Sequence, residues 1–350
     1  MTTDASTARA VLFERDADGE VAIVFGTVDV PSAGPGMLLI RPEFVGICGT
    51  DIEILHDRMP VTFDLNLPHS MGHEWSGTVV EVGDGVDAFA PGDRVLGHGD
   101  MGGNHWFGAT DDGAAAELFV LPASMCFPVP DGVDMVTAAI IEPFACVLNG
   151  FQKIGGVTAA DTVHVFGLGA IGLAAVAHAA YTGAQVVALD PSPLRRSRAL
   201  ALGAAAAFDP VDDRFSVAMI AQEVGRPDAD IVVEASGASG AQAAALAHAA
   251  HQGRVLFMGL SRPRSAPAQL SLIVERDLTV CSSVGAPVAI WEPSIRYLAR
   301  AGLDLGSLVT RTLPFSQAAE AFVLAQDSAA DIKVMLRPDT PPPGVPVQQG

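Results

Sequence analysis

The feature that most constrains this chain is a glycine-spaced turn set between a short apolar run and a helix-like run. Val163-His-Val-Phe166 reads as a buried strand, Gly167-Leu-Gly-Ala-Ile-Gly172 follows at once, and Ala170 to Tyr181 has helical composition. A G-x-G-x-x-G pattern alone says little, but in this context each position has a physical task. Gly167 permits a tight turn, Gly169 lets the backbone approach a pyrophosphate, and Gly172 lets the helix pack close to the strand. The helix start, at Ala170 and Ile171, supplies free N–H groups and a positive dipole end for phosphates. Strands and helices then alternate: Val186 to Leu189 (strand), Leu194 to Leu202 (helix), Ile231 to Glu234 (strand), Ala241 to Ala250 (helix) and Arg254 to Met258 (strand). This alternation predicts an α/β domain with a parallel sheet wound on both faces. Asp190 ends the second strand, where a carboxylate accepts ribose hydroxyls and repels a 2′-phosphate. The pattern favours NAD over NADP, while Arg195 and Arg196 nearby keep NADP open. The plainer alternative is a glycine-rich turn that holds no dinucleotide.

The first third reads differently. Residues 8–45 form short strand-like runs with turns at Asp16-Ala-Asp-Gly19 and Pro31-Ser-Ala-Gly-Pro35. Trp75 to Val82 is a further strand ending at Gly83-Asp-Gly85, and Pro91-Gly-Asp93 turns into Val95-Leu96. The expectation is an all-β region with non-helical connections. A length of 350 residues suits about two domains. The tail from Pro338, with Pro341-Pro-Pro343, is expected to be poorly ordered.

The formal net charge of -20 repels a nucleic-acid backbone and argues against such a partner. Two lysines, Lys153 and Lys333, stand against eighteen arginines. Cys48, Cys126, Cys146 and Cys281 are far apart and form no C-x-x-C, so a disulfide framework is not expected. Met1 to Ala10 is polar and acidic, unlike a signal peptide. The most apolar stretch, Phe166 to Ala184, is broken by Gly167, Gly169, Gly172 and His178, so no membrane span is expected. A cytoplasmic enzyme is the default.

Gly46-Ile-Cys-Gly-Thr-Asp51 and Gly72-His-Glu74 lie in the β-rich part, and Glu142-Pro143 comes just before the α/β part. Cys48, His73 and either Glu142 or Glu74 make a sulfur, nitrogen and oxygen set that suits Zn²⁺, with one position left for water or substrate. Spacing does not decide this, because the residues are distant in the chain. Singly, Cys48 reads as a buried apolar residue, His73 as a hydrogen-bonded histidine and Glu142 as a helix cap.

In combination, VGICGTD, GHEWSGTVVEVG, PGDRV, IEP and GLGAIG closely resemble, in that order, the zinc-dependent medium-chain dehydrogenase/reductase family. Within it the chain is most similar to the sorbitol, polyol and aminocyclitol dehydrogenase branch. The resemblance covers nearly the whole chain, including Val232-Val-Glu-Ala-Ser-Gly237 and Asp331-Ile-Lys-Val334. It implies a GroES-like β-rich catalytic domain from residues 1–155 and 291–350, and a Rossmann dinucleotide-binding domain from 156–290. It implies a cleft holding zinc and nicotinamide, with Cys48 and His73 as metal ligands. Glu142 would be the third ligand, and Glu74 a carboxylate that binds the metal directly or through water. Thr50 matches the hydroxyl that contacts the substrate oxygen and starts a proton relay.

Two departures from the family stand out. Its frequent lobe of four cysteines around a structural zinc corresponds to Leu96 to Gly113, which has no cysteine. One catalytic Zn²⁺ and no structural Zn²⁺ are therefore expected, with His98 and His105 as loop residues. Where some relatives have a histidine after the relay hydroxyl, this chain has Glu53, which could shuttle the proton, contact a substrate hydroxyl or complete the metal shell. His56 is a further candidate, or a solvated surface residue. The expected reaction is hydride transfer between a nicotinamide cofactor and a small polyol, sugar or (amino)cyclitol alcohol/ketone pair. Reduction of a C=C bond in a cyclic enone, or a binding protein without turnover, are the alternatives. The family also implies a homodimer or homotetramer, for which Leu278 to Val284 is a candidate sheet edge, though Cys281 there could equally be core.

Overall fold

The computed structural model describes residues 7–59, 63, 65–260, 265 and 267–339, so most of the tail from Pro338 lies outside the described residues. The chain divides into two compact units. One runs to Glu142 and takes in Val309–Asp327 and the segment from Lys333; the other holds Pro143–Leu308 and Ser328–Ile332.

In chain order, the first elements are β1 (Thr7–Arg15), β2 (Val21–Asp29), β3 (Met37–Gly46), α1 (Gly49–Leu55), β4 (His69–Ser70), β5 (Glu74–Val82), β6 (Arg94–Gly97), β7 (Phe119–Pro122), β8 (Cys126–Pro128), α2 (Met135–Ala139) and α3 (Ile141–Lys153), the last of which runs across the first boundary. The α/β part then carries β9 (Thr162–Phe166), α4 (Ala170–Tyr181), β10 (Gln185–Leu189), α5 (Pro193–Ala201), β11 (Ala206–Phe208), α6 (Val217–Val224), β12 (Ala229–Glu234), α7 (Ser239–His248), β13 (Ala249–Phe257), α8 (Ser271–Glu275), β14 (Thr279–Ser282) and α9 (Val288–Ala301). The chain returns through β15 (Val309–Pro314), α10 (Ala318–Gln326) and β16 (Lys333–Arg337).

In the first unit, β2-β1-β4 form a small sheet, and a larger one runs β15-β16-β3-β5-β6-β8, with β7 also on β3. The β1–β2 turn falls at the expected Asp16 to Gly19. Asp16 Oδ1 accepts from the N–H groups of Asp18 at 2.9 Å and Glu20 at 3.0 Å, which closes the turn locally. The core gathers around Trp75, packed edge-on against Phe119 and Phe107 at 5.0 and 6.4 Å. Phe322 of α10 meets Phe13 of β1 edge-on at 5.8 Å, so the returning C-terminal segment completes this core. The expectation of non-helical connections fails at α1. Asp51 folds back on the Cys48 backbone and nucleates a short helix that periodicity in so brief a run cannot reveal.

The second unit is a six-stranded parallel sheet of order β11-β10-β9-β12-β13-β14. All five residues of the central β9 are buried, as a parallel sheet covered on both faces requires. From β9 the chain winds through β10 to β11 on one side, then through β12 to β14 on the other. The order therefore reverses between β9 and β12, and the crevice of such a sheet lies at the carboxyl ends of those two strands.

Among the described residues of this unit, three histidines are buried. His164 on β9 and His248 at the end of α7 share a hydrogen bond between their Nδ1 atoms at 3.1 Å. Burial, with His248 second, pushes the His164 imidazole down to about 3. Burial, with Arg276 second, pushes His248 down to about 4. Burial also takes His178, which pairs with the Tyr297 hydroxyl at 3.0 Å, to about 4. Because the folded-state values lie below the ordinary 6.5, the unfolded chain binds more protons in the window beneath it. Their stabilising effect is complete above pH ~6.5 and is lost as pH falls towards ~4, by at most about 1.4 kcal/mol per pH unit for each histidine. Urea unfolding between pH 7 and 5 is expected to show this decline, and a double His164→Leu, His248→Leu variant a shallower one; equal slopes would contradict it.

Candidate functional site

The antiparallel register of β3 and β5 sets Gly46 opposite Glu74. One strand ends there and the other begins there. Cys48, two residues past the first, and His73, one residue before the second, therefore reach the same place. Ligand atoms of Cys48, His73 and Glu74 all lie within 4.8 Å of one another, the one group of three metal-type ligands among the described residues. A sulfur, an imidazole nitrogen and a carboxylate oxygen fit Zn²⁺. Cys48 stands at the start of α1, where its N–H donates to Asp51 Oδ2 at 2.7 Å, and its Sγ lies 3.9 Å from Thr50 Oγ1. The Ile47 N–H donates to the Val334 carbonyl at 3.0 Å, which fastens the loop to β16.

Two charged groups whose roles the sequence did not reveal complete this cluster. Asp51 is fully buried, and its Oδ1 faces His73 Nδ1 at 3.8 Å. Neither atom has a hydrogen-bond partner. Burial pushes the Asp51 carboxyl up to about 6, with His73 pulling the other way. Burial would push the His73 imidazole down, but Asp51, followed by Cys48 and Glu142, outweighs it and holds His73 well above its ordinary value. Lys333, only 4% exposed, forms an ion pair with Glu74 Oε2 and donates to the Ile47 carbonyl at 2.9 Å. Burial works against its charge, and Glu74, then Cys48 and Asp51, more than restore it. A Cβ at Gly46 would collide with Glu74 Oε2 and stand 3.0 Å from Lys333 Cε, so the pair occupies the space that glycine leaves open. A lysine heading the apolar Val334-Met-Leu336 run of β16, in a chain with two lysines, is the sequence signal that could have found it.

The segment Leu96 to Gly113 backs the His73 turn. The Gly72 N–H donates to the Gly108 carbonyl at 3.1 Å, and the Ala114 N–H donates to the Gly72 carbonyl at 2.9 Å. A Cβ at Gly108 would collide with Gly72, and one at Gly113 would come within 2.6 Å of the Met71 carbonyl oxygen. His98 is buried beside Phe127, and His105 is exposed and pairs with Asp111 at 3.0 Å. Glu142, in the first turn of α3, stands outside the three-ligand group, although its charge acts on His73. Glu53 accepts from Arg58 at 3.3 Å, and His56 Nε2 donates to Gln326 Oε1 at 2.8 Å.

In the second unit, Gly167 adopts a left-handed φ of 82° directly after β9. A Cβ at Gly172 would collide with the Gly167 carbonyl, so the close approach of α4 to the turn depends on that glycine. Gly169 caps α4, and Gly169, Ala170 and Ile171 are partly exposed at its start. Asp190, at the end of β10, accepts from the Leu168 N–H and the Ser192 N–H, both at 2.8 Å. Arg195 donates to the Asp331 carbonyl at 2.9 Å, while Arg196 donates to the Asp190 carbonyl at 2.7 Å and lies 3.3 Å from Asp209. Among the described residues, no helix is long and apolar enough to cross a membrane.

Residues 34–131 match the alcohol dehydrogenase GroES-like domain, and residues 170–300 match the zinc-binding dehydrogenase domain. The sorbitol dehydrogenase of Pongo abelii is 32% identical over 335 residues, spanning 89% of this chain and 91% of its own length. A zinc-binding dehydrogenase of Sinorhizobium meliloti, solved with NADP, superimposes with a TM-score of 0.83 at 29% identity, covering 95% of this chain and 100% of that one. The 2R,3R-butanediol dehydrogenase of Bacillus subtilis gives 0.82 at 25% identity, with the same coverage. Paired zinc-type ligands on the GroES-like sheet, a glycine turn on the parallel sheet and likeness along the whole length lead to one conclusion: the chain belongs to the zinc-dependent medium-chain dehydrogenase/reductase family and is an oxidoreductase of the alcohol and polyol dehydrogenase kind.

Proposed function

We propose that this enzyme uses one catalytic zinc and NAD to interconvert a small polyhydroxylated alcohol (a polyol, sugar or aminocyclitol) and its ketone. The observation that carries the reading is the convergence of Cys48, His73 and Glu74 beside the buried ammonium of Lys333. Cys48 and His73 would hold the metal. Glu74, which Lys333 engages, and Glu142, whose charge acts on His73, are the carboxylates that would complete the metal shell. Asp51 orients the His73 ring from behind, a role that carboxylates commonly play towards ligating imidazoles. When bound, zinc supplies Lewis acidity towards a substrate hydroxyl and nicotinamide supplies the hydride acceptor. The Thr50 hydroxyl, beside Cys48, moves the proton. Glu53, held by Arg58, is the next acceptor along α1. The segment Leu96 to Gly113 has no cysteine and carries no structural zinc in this reading.

The NAD preference rests on Asp190. Its carboxylate faces the glycine turn, where a 2′-phosphate would meet like charge. Arg195 donates to the Asp331 carbonyl, and Arg196 to the Asp190 carbonyl while pairing with Asp209, contacts that a 2′-phosphate would have to compete with. Small hydroxylated substrates are supported by the likeness to sorbitol dehydrogenase. The exposed edge strand β14, with Val280 at 40% and the adjoining Val284 at 84% exposure, supports a homodimer paired through that edge, or a homotetramer built from it.

Metal analysis with a polyol and cyclitol screen in both cofactors tests this reading. Cys48→Ser is expected to lose the zinc and to lower kcat/KM at least about 100-fold; full activity and metal content in that variant would remove the proposal. The ratio of kcat/KM for NAD over NADP is expected to exceed about 10, and a ratio below one would remove the cofactor assignment. Lys333→Met leaves Glu74 charged and buried without its partner. It is expected to lower stability by about 3–5 kcal/mol in urea unfolding of the metal-free protein. Gly46→Ala, which forces the same pair apart, should lower it by about 1–3 kcal/mol.

A further inference from the structure

At the end of β12, Glu234 is wholly buried and belongs neither to the metal cluster nor to the glycine turn. Its Oε1 accepts three hydrogen bonds from the chain just ahead of it: the Ser236 N–H at 2.8 Å, the Ser236 hydroxyl, and the Gly237 N–H at 3.0 Å. Its Oε2 has no hydrogen-bond partner and lies where a Cβ at Gly259 would come within 2.8 Å of it. A buried carboxylate with one bare oxygen is unfavourable for folding, so stability alone does not explain it. The turn it gathers does. Ser236 sits directly against Gly167, where an added Cβ would be 2.7 Å from the Ser236 Cα. Gly167 is thus backed by Ser236 from the β12 side. From the β10 side, Asp190 holds the neighbouring Leu168 N–H at 2.8 Å. Since β9 lies between β10 and β12, carboxylates from both flanking strands fix the turn that follows it.

We propose that Glu234 is a positioning residue for the dinucleotide: by gathering Ser236 and Gly237 it braces the Gly167 turn from the β12 side, holding the phosphate-facing backbone in its binding shape before ligand arrives. Preorganisation of this kind raises affinity by removing the ordering of a loop from the binding step. The inference rests on the reading that the Gly167 to Gly172 turn holds a dinucleotide.

The test uses the zinc-loaded full chain, with NADH affinity followed by nicotinamide fluorescence alongside melting temperature and zinc content. Glu234→Gln keeps the shape but turns three charge-assisted hydrogen bonds into neutral ones, and is expected to raise the Kd for NADH about tenfold. Zinc per chain should stay unchanged and the melting temperature within a few degrees. Ser236→Ala removes one of the three donors and should raise the Kd about threefold; it serves as the variant of record if the glutamine protein fails to fold. A Kd within twofold of wild type in the folded glutamine protein, or no change in the alanine protein, overturns the brace alone. A wild-type protein that binds neither NADH nor NADPH overturns the dinucleotide reading, and the brace with it.

Discussion

The ion pair between Lys333 and Glu74 governs the metal-binding half of this enzyme. It joins the last strand of the chain to the start of β5, in a place where water cannot screen either charge. An unpaired charge at that depth would be strongly unfavourable, so each side chain requires the other. The geometry propagates outward from there. Lys333 also holds the Ile47 carbonyl, Ile47 leads into Cys48, and Glu74 follows His73 directly. One buried pair therefore sets the spacing between the thiol and the imidazole, which come from strand ends far apart in the sequence. Glycine at position 46 is what leaves room for it.

The ionisable groups nearby act on one another. Burial draws Asp51 towards its neutral form, Glu74, Cys48 and Asp51 hold Lys333 in its charged form, and His73 is drawn towards its charged form by Asp51, Cys48 and Glu142. A dication among these groups would replace the proton on the imidazole as the partner of the surrounding anions. The carboxylate of Asp51, behind the ring, then keeps its value as an orienting acceptor. The nucleotide half follows a related principle with different residues. Asp190 and Glu234 are both buried carboxylates, and both are used largely on backbone N–H groups around one turn. In each half, buried charge maintains a shape that apolar packing alone would leave adjustable.

Much of this was legible in the sequence because it depends on local chemistry. The glycines at 167, 169 and 172 stand at a strand-to-helix junction, and their tasks follow from backbone sterics within six residues. The alternation of strands and helices after Val163 is a periodicity, readable without knowing what packs on what. Short helices such as α1 were not legible, because seven residues hold too few turns to show a period and the deciding hydrogen bond comes from Asp51 folding back. Cys48 and His73 drew notice as metal-type residues, but nothing local separated them from a buried thiol and an ordinary histidine; family likeness supplied that step.

By itself, then, the sequence determined the fold class, the glycine turn and the residue types from which a zinc and dinucleotide enzyme can be built, since all of these arise from neighbours along the chain. Tertiary structure alone decided that Lys333 meets Glu74, that Asp51 stands behind His73, that Arg195 and Arg196 are engaged by carbonyl and carboxylate groups, and that Glu234 gathers the turn against Gly167. Those are contacts between segments brought together by strand register and burial. Their strength depends on the exclusion of water, a property of the folded interior that no stretch of residues carries on its own.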